Sequence, residues 1–402
     1  VPDSKLHRLL VVSHVVHYQY GKALYAYGPY AREIDIWADL FPEVVVAAPC
    51  RNEKPPADCL PFARANISLR PQPETGGTSV GAKIHQLLML PYLIGGLGAA
   101  MAGADAIHVR CPGNLGLLGA ALAPLFSRFR VAKYAGQWNG YAGEPVSVRL
   151  QRALLGSRWW GSPVTVYGQW PGQAGHVVSF FTSMMTASQQ RVAGQVAAAR
   201  TERPREGRLR VLFAGSLVRR KRVDALLDAV KLVVDRGIPI DVRIVGDGLD
   251  GAALRQHAVR LGLADVVTFV GALPFDETMR WYEWADCLVL PSTHSEGWPK
   301  VIAEAMSHGV ICVAVAHGQI PTMLANRGLL LPTGHPGEIA EALERIQRDP
   351  AALAPMRGRA SKWATQHSLE GLRDALARLL ADRWGVPQES LGAATGRLEA
   401  RS

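Results

Sequence analysis

Over most of the chain, short apolar runs alternate with longer stretches in which apolar residues recur every three or four positions. The runs at 9–13 and 44–48 read as strands on either side of a helical stretch, 28–41, that turns Ile34, Trp37, Leu40 and Phe41 inward. A third strand is predicted at 106–110, then a helix at 115–126 and a strand at 131–135. Residues 55–78 are rich in Pro and Gly and read as loop. The apolar run 87–94, broken by Pro91 and followed by Gly95-Gly96, reads as a core helix or as a patch that touches lipid, with Lys83 and His85 at its head.

The alternation is cleaner in the second half. Strands are expected at 210–214, 241–245, 266–270, 287–290 and 310–315, with helices at 224–235, 252–261, 277–284, 300–307 and 336–347. Residues 351–384 read as terminal helices, and the tail 386–402 has little to pack. Such alternation predicts an α/β protein with doubly wound parallel sheets. The polar, Pro- and Gly-containing run 201–208 divides two domains, 1–200 and 209–365.

Composition agrees with an ordered chain: 402 residues, 48% apolar and 19% charged. No run nears the ~20 apolar residues that cross a bilayer. The opening 1–8 has no separate apolar segment of a secretion signal, and the five cysteines are scattered without a Cys-x-x-Cys, so a reduced, cytoplasmic chain without a zinc site is expected. Charge is uneven. Residues 1–205 hold 20 Lys and Arg against 11 Asp and Glu, whereas residues 206–402 hold 24 against 23. The first half should therefore attract an anion, either a phosphorylated acceptor or an acidic membrane face. Nucleic acid is not expected, because no recognised binding module is present.

Chemistry concentrates at 295–309. After the strand at 287–290 comes Ser-Glu296-Gly297-Trp298-Pro299-Lys300, then a helix with Val301, Ile302, Ala305 and Met306 on one face and Gly309 as its stop. Pro299 suits the first helical position, and Trp298, in the capping place, has no side-chain acceptor for the first amides. Those amides and the helix dipole remain available to an anion, beside the carboxylates of Glu296 and Glu304. A basic run, Gly215-Ser216-Leu217-Val218-Arg219-Arg220-Lys221-Arg222, opens another helix, where cations are disfavoured unless an anion intervenes. Gly246-Asp247-Gly248-Leu249-Asp250-Gly251 matches a dinucleotide fingerprint, but it follows the second strand of its domain, carries two acids and lacks an acidic end to the next strand. In the first half, His14 and His17 follow the first strand. Gln137, Trp138 and Tyr141 lie in a glycine-rich loop, 136–144, where the rings either stack on a sugar or simply pack.

Glu296, seven intervening residues and Glu304, with Gly297 and an aromatic after the first Glu, resemble the donor-site signature of retaining glycosyltransferases of family 4. The resemblance runs over residues 209–331. It implies the GT-B architecture: two Rossmann-like domains facing across a cleft, with a terminal helix (366–385) returning to the first. It further implies transfer of a hexose from a nucleoside diphosphate with retained configuration, in polysaccharide or glycolipid synthesis. Glu296, Lys221, Arg219 and Arg220 would carry catalysis. Gly215, Ser216, Gly246, Gly271, Ala272, Leu273, Gly297, Trp298, Pro299, Lys300 and Glu304 would hold the donor, with Glu304 on the ribose. His14, His17, Gly28, His108, Arg110, Gln137 and Trp138 would face the acceptor, which the basic first half and the apolar run 87–94 lead us to expect to carry phosphate and lipid. No Asp-x-Asp occurs, so no metal and no cofactor are expected. The chain departs from the family pattern at Ser216 (arginine), Arg222 (glycine), Thr322 (glutamate) and Gly136-Gln137 (a cleft histidine). Those departures leave open a nucleotide-sugar-binding subunit without turnover, and the fingerprint at 246–251 leaves an NAD(P) oxidoreductase as a remoter alternative.

Overall fold

The computed structural model describes residues 6–75, 79–141, 143–202, 207–293 and 297–391, apart from the side chains of 80, 82 and 83. The chain forms two compact units, Val1–Thr182 with Leu369–Ser402, and Ser183–Ser368. The division therefore falls before the charged run at 201–208. Helix α5, defined below, ends within that run, and it packs on helices of the second unit.

In the first unit the chain runs β1 (Arg8–Val12), β2 (His17–Tyr20), β3 (Ala23–Tyr27), α1 (Gly28–Leu40), β4 (Glu43–Ala48), β5 (Cys50–Arg51), β6 (Cys59–Pro61) and β7 (Ile67–Pro71). It continues through α2 (Val80–Met101), β8 (Ala106–Cys111), α3 (Asn114–Leu122), β9 (Phe129–Tyr134), α4 (Val146–Gly156), β10 (Val164–Tyr167) and β11 (Val177–Phe180). Seven strands form one parallel sheet in the order β11-β10-β9-β8-β1-β4-β7. Leu9, Val11, Val44 and Val46 face α1, while Leu10, Val12, Ile107 and Val109 join Leu93, Leu97 and Leu115 of α2 and α3 in the core on the other face. A second sheet, β5-β2-β3-β6, had not been expected, and the stretch 55–78 read as loop contains β6 and β7.

Helix α2 is longer than the interrupted run 87–94 suggested. It continues through Pro91 and both glycines, and by length and composition its Ile84–Met101 stretch passes as a membrane span. Leu93, Leu97, Ala100 and Met101 nevertheless pack on the sheet, whereas Leu87, Leu88 and Tyr92 are 69%, 73% and 67% exposed.

In the second unit, α5 (Ala187–Glu202) precedes β12 (Leu209–Ala214), α6 (Val223–Asp235), β13 (Ile240–Val245), α7 (Gly251–Arg260), β14 (Val267–Gly271) and α8 (Phe275–Trp284). Then follow β15 (Cys287–Leu290), α9 (Lys300–Ser307), β16 (Ile311–Val315), α10 (Ile320–Leu324), β17 (Leu329–Leu331), α11 (Pro336–Arg348) and α12 (Ala354–Ala364). The parallel sheet has the order β14-β13-β12-β15-β16-β17, so the chain reverses its progress across the sheet between β12 and β15. In open α/β sheets that reversal leaves a crevice at the carboxyl ends of the strands. The last helix, α13 (Leu369–Trp384), belongs to the first unit, where Leu372, Leu376 and Leu380 join the core around α1.

Three residues expected beside the acceptor are instead part of that core. His17 is fully buried, stacked on Phe62 and edge-on to Tyr30, with Nδ1 on the Val15 carbonyl. His108 is fully buried with its ring 4.5 Å from Trp37, and neither ring nitrogen has a hydrogen-bond partner. Arg110 points to α1, where its guanidinium pairs with Glu33, and Lys133 Nζ lies 2.5 Å from the other Glu33 oxygen. The cause is parity. Residues 106, 108 and 110 share the strand face that α1 covers, so ending a strand does not put a side chain in the crevice. Gly28 is also occupied, since its N–H donates to the Asp58 carbonyl at 2.8 Å.

These buried groups set the acid response. Burial holds the imidazoles of His17 and His108 at about 4 and about 3, and the charge of Arg110 adds to the effect at His108. Burial alone would raise the Glu33 carboxyl, but Arg110 and Lys133 prevail and bring it down to about 2. Unfolded, both histidines take up protons near pH 6.5, whereas folded they resist until about 4 and 3. Stability complete above 6.5 is therefore lost as the pH falls toward 4, by about 1.4 kcal/mol per pH unit for each histidine. Glu33 acts lower, its contribution being lost only between about 4.5 and 2. Urea unfolding at pH 7.5, 6 and 5 should show this slope, and His108→Leu should flatten it; an unchanged slope counts against the assignment. Glu33→Ala, which strands two buried cations, should cost about 3–5 kcal/mol.

Candidate functional site

In the second unit, the loops that carry the described candidate residues are joined around the β12/β15 reversal. The loop after β12 begins at Gly215, continues through Ser216 and Leu217, and forms a single 3-10 turn, Arg219–Lys221, before α6. Arg219 and Arg220 are exposed and Lys221 is buried. Arg222 then takes a left-handed conformation, φ 53°, which L residues adopt at a cost of roughly 1–2 kcal/mol. This is the position where the resembling family has glycine.

Two glycine-bearing loops lock together beneath this turn. Gly215 N–H donates to Val245 O, Leu217 N–H to Asp247 O, and Asp250 N–H to Leu217 O, at 2.9–3.0 Å. A Cβ on Gly246 would lie 1.9 Å from the Gly215 carbonyl oxygen, and one on Gly248 would lie 2.5 Å from that of Leu217. Gly246 and Gly248 of the 246–251 fingerprint are thus accounted for by this backbone contact. Gly246 N–H in turn donates to Gly271 O, which ties in the loop of Gly271, Ala272 and Leu273.

On the other side of the reversal, the loop after β15 meets the basic turn directly: Thr293 N–H donates to the Arg220 carbonyl at 3.2 Å. His317 Nε2 lies 2.6 Å from the Ser292 carbonyl, which joins the loop after β16 to the same place. Glu296 lies outside the described residues. Helix α9 spans the expected 300–307, and its N-cap is Pro299 rather than Trp298. Proline also has no side-chain acceptor, and among the described residues no side chain caps the helix, whose Ile302 N–H donates to the Pro299 carbonyl. Half-buried Trp298 stacks on Trp363 and tilts against His367. Gly309 ends the helix at φ 68°.

Glu304, one turn in, is 7% exposed, and Tyr282 of α8 donates its phenol to Oε2 at 2.8 Å. Burial and the Glu304 charge push the Tyr282 phenol well above its ordinary value, so it remains a donor. Tyr282 escaped the sequence reading because the pair spans two helices and no local pattern links them. Among the described residues, no group of three or more His, Cys, Asp or Glu could hold a metal.

In the first unit, the carboxyl ends of β1 and β8 frame a cavity of about 670 Å³, lined by His14, Val16, Pro49, Glu74, Thr75, Gly113 and Asn114. A Cβ on Gly113 would lie 2.4 Å from His14 Nδ1, so glycine is what admits the ring there. Burial, then the charge of Arg110, holds the His14 imidazole below its ordinary value. Of the residues expected on the acceptor side, His14 alone lines this cavity. Gln137 and Trp138 are half-buried after β9, with Trp138 edge-on to Tyr134, and Glu144 is gripped by Arg152.

Comparison with known proteins defines the class. Over 94% of its length the chain superposes on HepE of Anabaena, solved with UDP and glucose (TM-score 0.67, 18% identity, 99% of that chain), and on sucrose-phosphate synthase of Thermosynechococcus elongatus (TM-score 0.69, 20% identity, 99% of that chain). The fold is that of GT-B glycosyltransferases. Residues 208–349 match the family described as glycosyl transferases group 1, so the second unit carries a group 1 glycosyltransferase domain. D-inositol 3-phosphate glycosyltransferase of Streptomyces bingchenggensis is 32% identical over 182 residues, 42% of this chain and 40% of that protein. The match thus spans about two fifths of that curated relative.

Replacing Arg222 tests the loop geometry directly. Arg222→Gly should leave stability unchanged or raise it by up to about 1 kcal/mol, because the left-handed penalty outweighs the entropy glycine adds to the unfolded chain. Arg222→Val should cost more than about 1 kcal/mol. Chemical denaturation of both variants checks the order, and equal stabilities would contradict it.

Proposed function

We propose that this protein is a retaining glycosyltransferase that moves a hexose from a nucleoside diphosphate to an acceptor hydroxyl. The observation that supports it most is that, at one strand-order reversal, the Arg219–Lys221 turn is bonded to the loop after β15 through Thr293, and the helix that follows this loop, α9, carries Glu304 with its carboxylate held by Tyr282. The cations suit a diphosphate, and an oriented carboxylate suits the vicinal hydroxyls of a ribose. HepE, solved with UDP and glucose, is similar in fold and consistent with this reading.

The rate advantage would come from charge stabilisation on the departing diphosphate by Lys221 and its neighbouring arginines. Glu296 would orient the sugar. With the charge gathered at the leaving group, the acceptor attacks from the same face and the departing phosphate takes its proton, so configuration is kept and no metal is needed. Ser216 and Thr322 are also compatible with a nucleotide-sugar-binding subunit without turnover, which donor hydrolysis by the purified protein would distinguish.

The acceptor we propose carries phosphate and lipid, at the cytoplasmic face of a membrane, in polysaccharide or glycolipid synthesis. Support comes from the α2, α3 and α4 side of the first sheet. Residues 79–182 contain eight Lys and Arg against two acids; Arg110 and Lys133 are committed to Glu33 and Arg152 to Glu144, which leaves Lys83, Arg128, Arg130, Arg149 and Arg158, and α2 exposes Leu87, Leu88 and Tyr92. Both acids are engaged, Asp105 by the N–H groups of His7 and Arg8 and Glu144 by Arg152. An anionic bilayer would meet both the charge and the apolar side chains.

A thermal-shift panel of UDP-, GDP- and ADP-hexoses should give one clear rise in melting temperature, since a ligand at a hundred times its Kd stabilises by about 2.7 kcal/mol. Tyr282→Phe should weaken that nucleotide's binding by about threefold to tenfold with kcat little changed, because a ribose contact serves ground and transition states alike. A tenfold loss in kcat at unchanged affinity would refute the assignment. NMR of the product's anomeric proton should show retained configuration, with turnover surviving EDTA; inversion, or activity restored only by Mg²⁺, would refute the mechanism.

A further inference from the structure

The small sheet β5-β2-β3-β6 has two unlike faces. His17, Ala26 and Leu60 belong to the inner one and pack with the α1 core. On the outer one the register sets Tyr18 opposite Tyr25 and Tyr20 opposite Ala23, so Tyr18, Tyr20, Tyr25 and Tyr27 share a single face. Tyr20 and Tyr27 are 52% and 47% exposed, and Tyr18 and Tyr25 are half-buried. Beside Tyr18 the neighbouring strand presents Arg51, and beside Tyr25 stands Pro61.

This face is continuous with the first unit's cavity. Val16 and Pro49 line that cavity and precede Tyr18 and Arg51 by two positions each, and the segments are joined there by His17 N–H donating to the Pro49 carbonyl. Val16 and Pro49 thus lie immediately before the paired strands β2 and β5 that carry Tyr18 and Arg51. Glu74, a further cavity wall, is held by Arg51 through bonds of 2.7 and 2.9 Å. The tyrosines therefore begin where the cavity opens.

The chemistry of the face selects its occupant. A tyrosine ring offers an apolar plane and a hydroxyl that both donates and accepts. That pairing matches a sugar ring, which shows C–H groups on its faces and hydroxyls around its edge. An acyl chain or a protein core would call for aliphatic groups, and the outer face shows only Ala23, Cys59 and Pro61 beside its tyrosines and Arg51. With about 7 Å between alternate residues and about 4.8 Å between strands, the tyrosines span roughly two or three hexose rings. We propose that this face is a glycan-binding platform that holds the distal sugars of an oligosaccharide acceptor whose end enters the cavity. This deepens the glycosyltransferase reading and rests on it.

The test uses the full chain with maltohexaose, cellohexaose and isomaltohexaose as probes and glucose as control, measured by calorimetry and saturation-transfer NMR. At least one hexasaccharide should bind tenfold or more tightly than glucose. The triple variant Tyr18→Ala/Tyr20→Ala/Tyr25→Ala should lose at least tenfold in that affinity, while the corresponding triple Phe variant, which keeps the rings, stays within about threefold. Tyr20→Ala alone changes one exposed side chain and should weaken binding about threefold, which keeps the test open if the triple variant fails to fold. Absence of hexasaccharide binding, equal binding by the Ala variants, or tyrosine-dependent binding to anionic vesicles in place of sugars overturns the proposal. The nucleotide-sugar thermal shift, read on the same samples, should be the same in every variant. Its absence beside intact hexasaccharide binding overturns the glycosyltransferase reading instead, so the two failures are distinct.

Discussion

The donor-side chemistry rests on one backbone contact, the seating of the loop after β13 against the loop after β12. Three hydrogen bonds link the two loops, and no side chain larger than hydrogen fits at Gly246 or Gly248. Because this contact is made by backbone, it fixes the path of residues 215–218 independently of side-chain packing. The basic turn 219–221 then emerges at a set place, and its Arg220 carbonyl is available to anchor Thr293. Substitution of either glycine would move the loop that delivers the cations before it altered any residue of the site.

The first unit depends on a different constraint, an ionised carboxylate inside a core. Glu33 serves Arg110 and Lys133 at once, which leaves an excess positive charge behind the strand ends that frame the cavity. Much of the basic character of this half is therefore internal or committed: Arg110 and Lys133 are spent on Glu33, and Arg152 on Glu144. The neighbouring histidines stay neutral in such surroundings, so polar residues that look reactive in sequence serve as packing.

How much could be read beforehand follows from where each signal lies. The strands of the second unit's sheet are short, mostly apolar runs, and all five expected ones appear near their expected bounds, while the three-residue β17 was not anticipated. Arg222 stood out through its departure from a glycine, and its left-handed backbone gives that departure a physical meaning. The β2–β3 hairpin was missed because its inward residues, His17 and Ala26, make no apolar alternation, although Gly21-Lys22 between two tyrosine-bearing runs is a usable turn signal. His108 and Arg110 misled because position at a strand end was read without side-chain parity. The Tyr282–Glu304 pair was invisible, since contacts between successive helices leave no trace in spacing.

The placement of α13 bears on how the chain is made. The first unit is discontinuous in sequence, with the whole second unit between its two parts. A ribosome working from the amino end therefore finishes the second unit's residues before it supplies Leu372, Leu376, Leu380 and Trp384. Until then Trp37, Phe41 and Phe129 lack the partners that cover them in the finished protein. During synthesis the nascent first unit carries an open aromatic seam, and its exposure lasts as long as translation of the following ~200 residues, of the order of ten to forty seconds. That interval, rather than the equilibrium stability of the finished fold, sets when the chain is most exposed to aggregation and most open to a chaperone.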